Sequence, residues 1–368
     1  MTDSVSQGIG TVPGEPSPGE SVPGEPTSAA PPPEKPRQPA ETVPARRGPA
    51  LARMRDFALI PPIILILIIG YFVNPVFLDR QNLINVLQQQ SEIALVVLAE
   101  ALILIAGKFD LSLESIVGLA PGVAAWLVLP AGLPHGLGVE LPSSLAIPIA
   151  LGVGALIGTL NGLLIVRFGL SAFVVTLGML ITLRGTLEGI SKGQTFFQLP
   201  HSMTYLGQTA WLGLPASVWI SLTLFAAGIA ALGYYRHGRS LYAVGGNEAA
   251  AKAAGIRTDR VVWTVFILGG LLAALAGLML SGRLASVGAG QGSGWIFTVF
   301  AAAVIGGISL DGGKGTIFGA FTGILLLYLI QNVLTLGGVP SQWITALNGA
   351  IILLALVLAR VTSGKTQN

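Results

Sequence analysis

The residues that could do chemistry form a polar series in an otherwise apolar chain. One run extends from Asn85 to Glu92, with three consecutive glutamines at its centre, and Glu100 follows eight residues later. At roughly 100° per residue, Asn85, Gln89, Glu92 and Glu100 share an arc of roughly 80° on one helix. Such groups can contact a polar solute or carry a cation. Two interpretations stay open: the stripe faces a protein interior or a watery path rather than lipid, or the glutamines lie at the outer interface of the membrane and only Glu100 lies deep.

Further polar residues follow in two places. The stretch from Gly107 to Ser115 contains Asp110 and Ser112, either of which is expected to cap the next helix. Arg184 and Glu188 are spaced i,i+4, and we expect them to pair with each other.

No catalytic residue and no metal site is predicted. The chain has no cysteine, and its three histidines, His135, His201 and His237, are too scattered for a metal cluster. The run from Gly306 to Gly315 looks superficially like a phosphate loop. It fails because Ile308 stands where the first glycine is required, and Gly315 replaces the serine or threonine that would hold magnesium. The chain is therefore not expected to be an enzyme.

Composition indicates which elements position these groups. Hydrophobic residues make up 52% of the 368 residues and charged residues only 10%, which excludes an ordinary water-soluble domain. The apolar stretches predict an all-α polytopic membrane protein with about ten transmembrane helices. These lie at 57–73, 83–106, 115–129, 143–166, 171–190, 216–235, 261–281, 295–308, 315–336 and 343–359.

Basic residues predict the orientation. With both termini cytoplasmic, the inner side receives Arg53, Arg55, Lys108, Arg167, Arg236, Arg239, Lys252, Arg257, Arg260, Lys314, Arg360 and Lys365. The outer side receives only Arg80, Lys192 and Arg283. This bias makes a multi-pass layout of ten segments with both termini in the cytoplasm self-consistent. No nucleic-acid partner is expected.

Three regions are predicted along the chain. Residues 1–50 are rich in proline and glycine and are expected to form a disordered cytoplasmic tail. Residues 57–360 form the transmembrane domain, and residues 361–368 form a cytoplasmic C-terminal tail.

Glycines recur at four-residue spacing in the fourth and ninth segments and are expected to pack helices closely. They are Gly154, Gly158 and Gly162, then Gly315, Gly319 and Gly323. The two segments are five apart in order and cross the membrane in opposite directions. This spacing raises the hypothesis of an inverted repeat that relates segments 2–5 to segments 7–10.

The longest inner loop, 236–256, encodes one short cytoplasmic helix. Asn247 is a good N-cap, Glu248 suits the positive helix start, an alanine run follows and Gly255 ends the helix. A helix this short is marginal in water, so we expect a protein partner to stabilise it.

Several stretches resemble one family, the permease subunits of bacterial ATP-binding-cassette importers for simple sugars such as ribose, xylose and galactose. The matching stretches are 107–115, 161–162, 173–178, 184–185, 245–256, 273–277 and 305–319. Permeases for branched-chain amino acids belong to the wider family. Glu114 departs from the usual glycine before Ser115, and Lys108 with Phe109 replaces a usual small or apolar pair, so the substrate stays open.

The resemblance implies an ATP-driven importer in which this chain forms the path for a simple sugar. ATP and magnesium would bind a separate ATPase subunit, so the chain itself needs no cofactor. An extracytoplasmic solute-binding protein would deliver the cargo to a permease homodimer in the lipid of the bacterial inner (plasma) membrane. The implied coupling helix to the ATPase includes Gly246, Asn247, Glu248, Ala250 and Gly255. The candidate path residues are Gln88, Gln89, Glu92, Asp110, Ser112 and Asn161.

Three alternatives remain. The same type of subunit would serve for a nucleoside or a branched-chain amino acid. An ion-coupled secondary transporter would use Glu92, Glu100, Asp110 and Glu188 as proton or sodium carriers. A membrane-embedded enzyme ranks last, since no nucleophile with a base is visible.

Overall fold

Hydrophobic helices dominate the fold. The computed structural model describes residues 57–130, 137, 139–344 and the single positions 346, 347, 349–351, 353 and 357. The predicted tails, 1–50 and 361–368, lie outside the described residues, as does much of the tenth predicted segment. The helices are α1 Ile60–Val73, α2 Arg80–Ile105, α3 Leu113–Val128, α4 Ala146–Arg167, α5 Ala172–Ser191, α6 His201–Gln208, α7 Ala216–Tyr234, α8 Arg236–Gly246, α9 Glu248–Ala253, α10 Thr258–Leu284, α11 Trp295–Ile305 and α12 Ile317–Leu336.

The remaining regular elements are short. Two 3-10 turns, Pro75–Leu78 and Ser143–Leu145, precede α2 and α4. Two strands of two residues each form an antiparallel hairpin just before α7. They are β1, Ala210–Trp211, and β2, Leu214–Pro215.

The prediction of an all-α polytopic membrane protein is confirmed. Among the residues that the structure describes, six helices are long and apolar enough to cross a membrane: α2, α4, α5, α7, α10 and α12. Three shorter apolar helices, α1, α3 and α11, coincide with the first, third and eighth predicted segments. At 16 and 11 residues, α3 and α11 extend only about 24 and 16 Å, less than the roughly 30 Å hydrocarbon core.

Helix α2 forms the centre of the bundle. In its most apolar window 83% of the residues are buried, against 22% for α5 and 28% for α7. Its neighbours include α7, α10, α11 and α12. The large exposed side chains of α5, such as Val174 and Ile181, lie on a flank that lipid would cover.

Small residues bring two helix pairs into close contact. A Cβ on Gly154 or Gly158 would collide with the α10 backbone at Gly270 or Phe266, so α4 and α10 meet backbone to backbone. Gly162 lies against the Trp263 ring.

The second pair is α11 and α12. Gly323 faces the backbone of Ala302, and Gly319 faces the backbone of Gly306, just beyond the end of α11. Gly315 precedes α12 instead of lying within a helix, contrary to the predicted segment boundary. It adopts a φ of 129° beside Ile308.

The loop predicted to lie on the inner side, 236–256, contains two helices, which corrects the prediction of one. Helix α8 already occupies Arg236–Gly246, and Asn247 separates it from the six-residue α9. The α8 pattern is amphipathic, since Gly238, Leu241 and Val244 are buried at three-residue spacing. Asn247 does act as the N-cap, because its Oδ1 accepts the Ala250 N–H at 2.9 Å.

Candidate functional site

A polar cavity of about 490 Å³ lies at the end of α10 and contains two of the predicted path residues, Gln89 and Glu92. Glu92 is 1% exposed and accepts two hydrogen bonds from Arg283, at 2.6 Å from Nε and 2.8 Å from Nη2. This bidentate geometry is the strongest form of an arginine–carboxylate pair. Because it includes Arg283, we call this space the Arg283 cavity.

A second polar cluster beside the Arg283 cavity was not predicted. Glu114 contacts Arg184 at 3.5 Å and also accepts the backbone N–H of Ile296 at 3.1 Å, at the positive end of α11. Arg184 also donates to the carbonyl of Gln291 at 2.9 Å. The predicted pairing of Arg184 with Glu188 is therefore wrong.

Sequence reasoning missed Gln291 as a site residue, as it missed Arg283 and Glu114. The Nε2 of Gln291 donates to the Val117 carbonyl and to Ser281 Oγ, both at 2.9 Å, so it links the α10–α11 loop to α3 and α10. Gln291 lies in a Gly-rich loop and is 8% exposed. A single glutamine between two glycines forms no periodic pattern, so the sequence did not indicate that Gln291 belongs to the site.

Three other predicted path residues form one buried cluster. Asp110 Oδ1 accepts the Ser112 hydroxyl at 2.6 Å and the Ser112 backbone N–H at 2.8 Å, and Asn161 Nδ2 donates to Ser112 Oγ at 2.9 Å. All three residues are fully buried. Ser112 occupies the cap position of α3 without a side-chain capping bond, so neither predicted cap bonds the helix in the expected way.

Glu100 belongs to this buried cluster as well. Its Oε1 lies 3.5 Å from the Asp110 backbone nitrogen. Glu100 Oε2, Asp110 Oδ2 and Asn161 Oδ1 have no hydrogen-bond partner among the described residues. The cluster joins α2, α4 and the 106–112 loop.

Gln88 lies apart from both groups. It is half-buried, and its side chain donates to the carbonyl of Gly207 in α6 at 2.6 Å. The structure therefore separates the six predicted path residues into Gln89 with Glu92, the Asp110–Ser112–Asn161 cluster, and Gln88 alone.

A further cavity of about 600 Å³ lies at the opposite end of α10. Lys108, Phe109, Glu248 and Asp259 are among its lining residues, and we call it the Lys108 cavity. Asp259 and Arg283 are 24 residues apart along α10, which corresponds to about 36 Å. The two cavities thus open at opposite ends of the bundle, and Asp110 and Ser112 are fully buried between them.

Helix α9 lies at the Lys108 end and is exposed. Glu248 pairs with Lys108 across 3.0 Å, and this contact ties α9 to the loop that leads to Asp110. Gly246, Asn247, Ala250 and Gly255 are exposed, while Ala251 packs inward. The predicted coupling residues therefore form an accessible surface around one short helix.

Three glycine-containing segments meet beneath α9. The Gly313 N–H donates to the Ile105 carbonyl at 2.9 Å, and a Cβ on Gly245 would collide with both of these residues. Tyr242 donates to the Gly315 carbonyl at 2.8 Å. The stretch that resembles a phosphate loop therefore packs its backbone against α8 and the end of α2.

Comparison with known proteins gives one consistent result. The family described as "Branched-chain amino acid transport system / permease component" matches residues 82–356. The ribose import permease protein RbsC of Escherichia coli K12 is 35% identical over 83% of this chain and 93% of its own length. No solved structure matches the chain significantly.

Two further relatives are also named as import permeases, one of them for a cargo other than ribose. The autoinducer 2 import system permease protein LsrC of Enterobacter sp. 638 is 35% identical over 77% of this chain and 80% of its own length. The ribose import permease protein RbsC of Bacillus subtilis 168 is 32% identical over 81% and 91%.

Proposed function

The chain belongs to the family of branched-chain amino acid transport system permease components, and from this premise we propose that it forms the membrane path for ribose or a similar simple sugar in an ATP-driven importer. The chain is a transport subunit, and ATP hydrolysis with its magnesium takes place on a separate ATPase chain. An extracytoplasmic solute-binding protein delivers the sugar. Two copies of the permease form the complete path in the membrane.

The observation that carries this proposal is the contact between α9 and the loop that contains the buried Asp110 and Ser112. The ATPase docks on the exposed surface formed by Gly246, Asn247, Glu248, Ala250 and Gly255. Glu248 holds Lys108 at 3.0 Å, and Lys108 lies only two residues before the buried Asp110. We therefore expect a shift of α9 to reach the 106–112 loop, both through this ion pair and through the backbone contact of Gly245 with Ile105 and Gly107.

The polar groups that line the Arg283 cavity suit a cargo with hydroxyl groups. Gln89, Glu92 and Arg283 offer both acceptors and donors in the Arg283 cavity. A sugar that passes through the cavity replaces its hydrogen bonds to water with hydrogen bonds to these donors and acceptors. On this view Asp110, Ser112 and Asn161 form a closed barrier, because their mutual hydrogen bonds and full burial leave no opening.

Orientation follows from charge. Lys108, Arg236, Arg257 and Arg260 all lie at the α9 end of the bundle, so that end faces the cytoplasm. Both termini then lie on the cytoplasmic side if the chain crosses the membrane ten times.

The test is purification of the tagged chain from its native membrane in mild detergent. We expect an ATPase subunit and a solute-binding protein to co-purify, and the complex to hydrolyse ATP in response to the loaded binding protein. Ribose, xylose, autoinducer 2, leucine and a nucleoside are then compared as ligands of that binding protein. A chain that purifies alone and transports solute in liposomes with only an ion gradient would overturn the proposal.

A further inference from the structure

A long apolar groove with a cationic mouth runs up the side of the bundle. It is about 1080 Å³ in volume and lies between α7 and α10, with α2 and α4 behind it. Leucines dominate its depth. Among them are Leu98 of α2, Leu151 of α4, Leu224 of α7 and Leu272 of α10.

Basic side chains lie at one end of this groove. Arg236 and His237 come directly after α7, and Arg257 and Arg260 lie at the start of α10. All four are exposed, and no aspartate or glutamate is among the described residues that line the groove. The three arginines form no ion pair within the described part of the chain. Their charge is therefore available to an outside anion.

The dimensions of the groove match one leaflet of a bilayer. Arg260 and Leu275 both line it and are fifteen residues apart along α10, which corresponds to about 22 Å. Half of a bilayer with its headgroups measures about 20–22 Å. The cationic mouth then lies at headgroup level and the leucines lie at acyl-chain depth.

We propose that this groove binds an anionic phospholipid, with its phosphate at Arg236, Arg257 and Arg260 and an acyl chain along the leucines. A sugar does not suit the groove, because leucine side chains offer its hydroxyls no hydrogen bonds. Basic pockets between membrane helices are a known form of lipid headgroup site.

The experiment measures lipid binding to the purified full chain by native mass spectrometry. Dioleoyl phosphatidylglycerol is added in one arm, dioleoyl phosphatidylcholine in a second and inorganic phosphate in a third. We expect phosphatidylglycerol to bind and the other two to bind far more weakly. The double variant Arg257→Gln/Arg260→Gln should bind phosphatidylglycerol roughly thirtyfold more weakly.

A matched control removes two positive charges that lie at the same end of the bundle but do not line the groove. Arg167 and Arg239 are exposed, and neither lines the groove. Arg167→Gln/Arg239→Gln should therefore bind phosphatidylglycerol as the unchanged chain does. Equal binding by the Arg257→Gln/Arg260→Gln variant, or equal binding of phosphatidylcholine, would overturn the proposal. Binding of inorganic phosphate as strong as that of the lipid would overturn it too.

A second pair of variants tests the apolar half without changing charge. Ala231 lines the groove and is exposed, so Ala231→Trp fills the acyl-chain space without disturbing the core. Ala226, exposed on the same helix outside the lining, provides the control Ala226→Trp. We expect only Ala231→Trp to lose the lipid. A disulfide-linked dimer of the Ala231→Cys variant would instead identify a second copy as the occupant and contradict the proposal.

Discussion

At the residue scale, the pairing of Glu92 with Arg283 explains how a carboxylate is held inside an apolar helix. The carboxylate is 1% exposed, and the guanidinium of Arg283 satisfies both of its oxygens. Removing one member of a buried pair leaves the other charge uncompensated, which costs about 3–5 kcal/mol. We therefore expect Arg283→Met to lower the thermal unfolding midpoint of the purified chain by roughly 5–10 °C.

The control is Glu92→Gln/Arg283→Met, which removes both charges and should regain much of the lost stability. Arg80→Met provides a second control, since Arg80 is exposed at the start of α2. A midpoint for Arg283→Met that equals that of Arg80→Met would contradict a structural role for the pair.

Residue partners are the part of the site that sequence could not predict. The polar stripe through Gln89, Glu92 and Glu100 was visible because helical periodicity is a local property. Arg184 was wrongly paired with Glu188, because its actual partner Glu114 lies 70 residues away in the chain. Contacts of that range depend on how helices pack, and one sequence carries no direct record of them.

At the element scale, two loops turn back along the helices that precede them. After α2 ends at Ile105, the chain returns until the Asp110 nitrogen lies beside Glu100. After α10 ends at Leu284, Gln291 returns to reach Ser281. Each loop leads into a helix too short to span the membrane. This correspondence supports the predicted inverted repeat, which stays a prediction for segments 2–5 and 7–10.

Close packing of α4 on α10 gives an element-scale prediction. Gly154 leaves no room for a Cβ against the α10 backbone, whereas Gly152, two residues earlier, has open space around it. Gly154→Leu should therefore prevent stable folding, and the yield of monodisperse protein in detergent should fall severalfold. Gly152→Leu is the matched control on the same helix and should purify normally. Equal yields of the two variants would show that this contact is not needed.

The contact between α9 and the 106–112 loop gives a second prediction. Lys108 and Glu248 are partly exposed, so their ion pair contributes only about 0–1 kcal/mol to stability. Glu248→Lys should thus leave the unfolding midpoint unchanged but lower the uptake per ATP hydrolysed severalfold. The swap Lys108→Glu/Glu248→Lys restores the pair and should recover coupling. Failure of the swap, with an ATPase still bound, would show that Glu248 acts by contacting the partner instead.

Element boundaries were predictable where the chain is apolar and less so where it is polar. The first nine predicted segments each coincide with a helix because runs of leucine, isoleucine and glycine mark them clearly. Helix α8 was missed because Arg236, His237 and Arg239 dominate its sequence. Only its packing on α7 and α9 shows that Gly238, Leu241 and Val244 form a buried face.

At the scale of the whole molecule, orientation can be tested directly because the chain has no cysteine. Leu212 is 92% exposed in the turn between β1 and β2, and Lys252 is exposed in α9. In right-side-out membranes an impermeant maleimide should label Leu212→Cys at once and Lys252→Cys only after permeabilisation. The reverse pattern would place α9 outside and exclude its docking to a cytoplasmic ATPase.

An ATP-driven importer and an ion-coupled carrier differ in their source of energy. Variants of the buried carboxylates distinguish between the two. Glu92 is held by Arg283, and Glu100 is fully buried beside the Asp110 backbone nitrogen. In an ATP-driven importer neither carboxylate needs to exchange a proton during transport. We expect Glu92→Gln and Glu100→Gln to retain uptake that depends on ATP and is unaffected by a protonophore. Uptake is normalised to folded protein, because Glu92→Gln weakens the contact with Arg283. Loss of uptake that returns when the proton gradient is altered would show that these carboxylates carry protons and that the chain works as a secondary transporter.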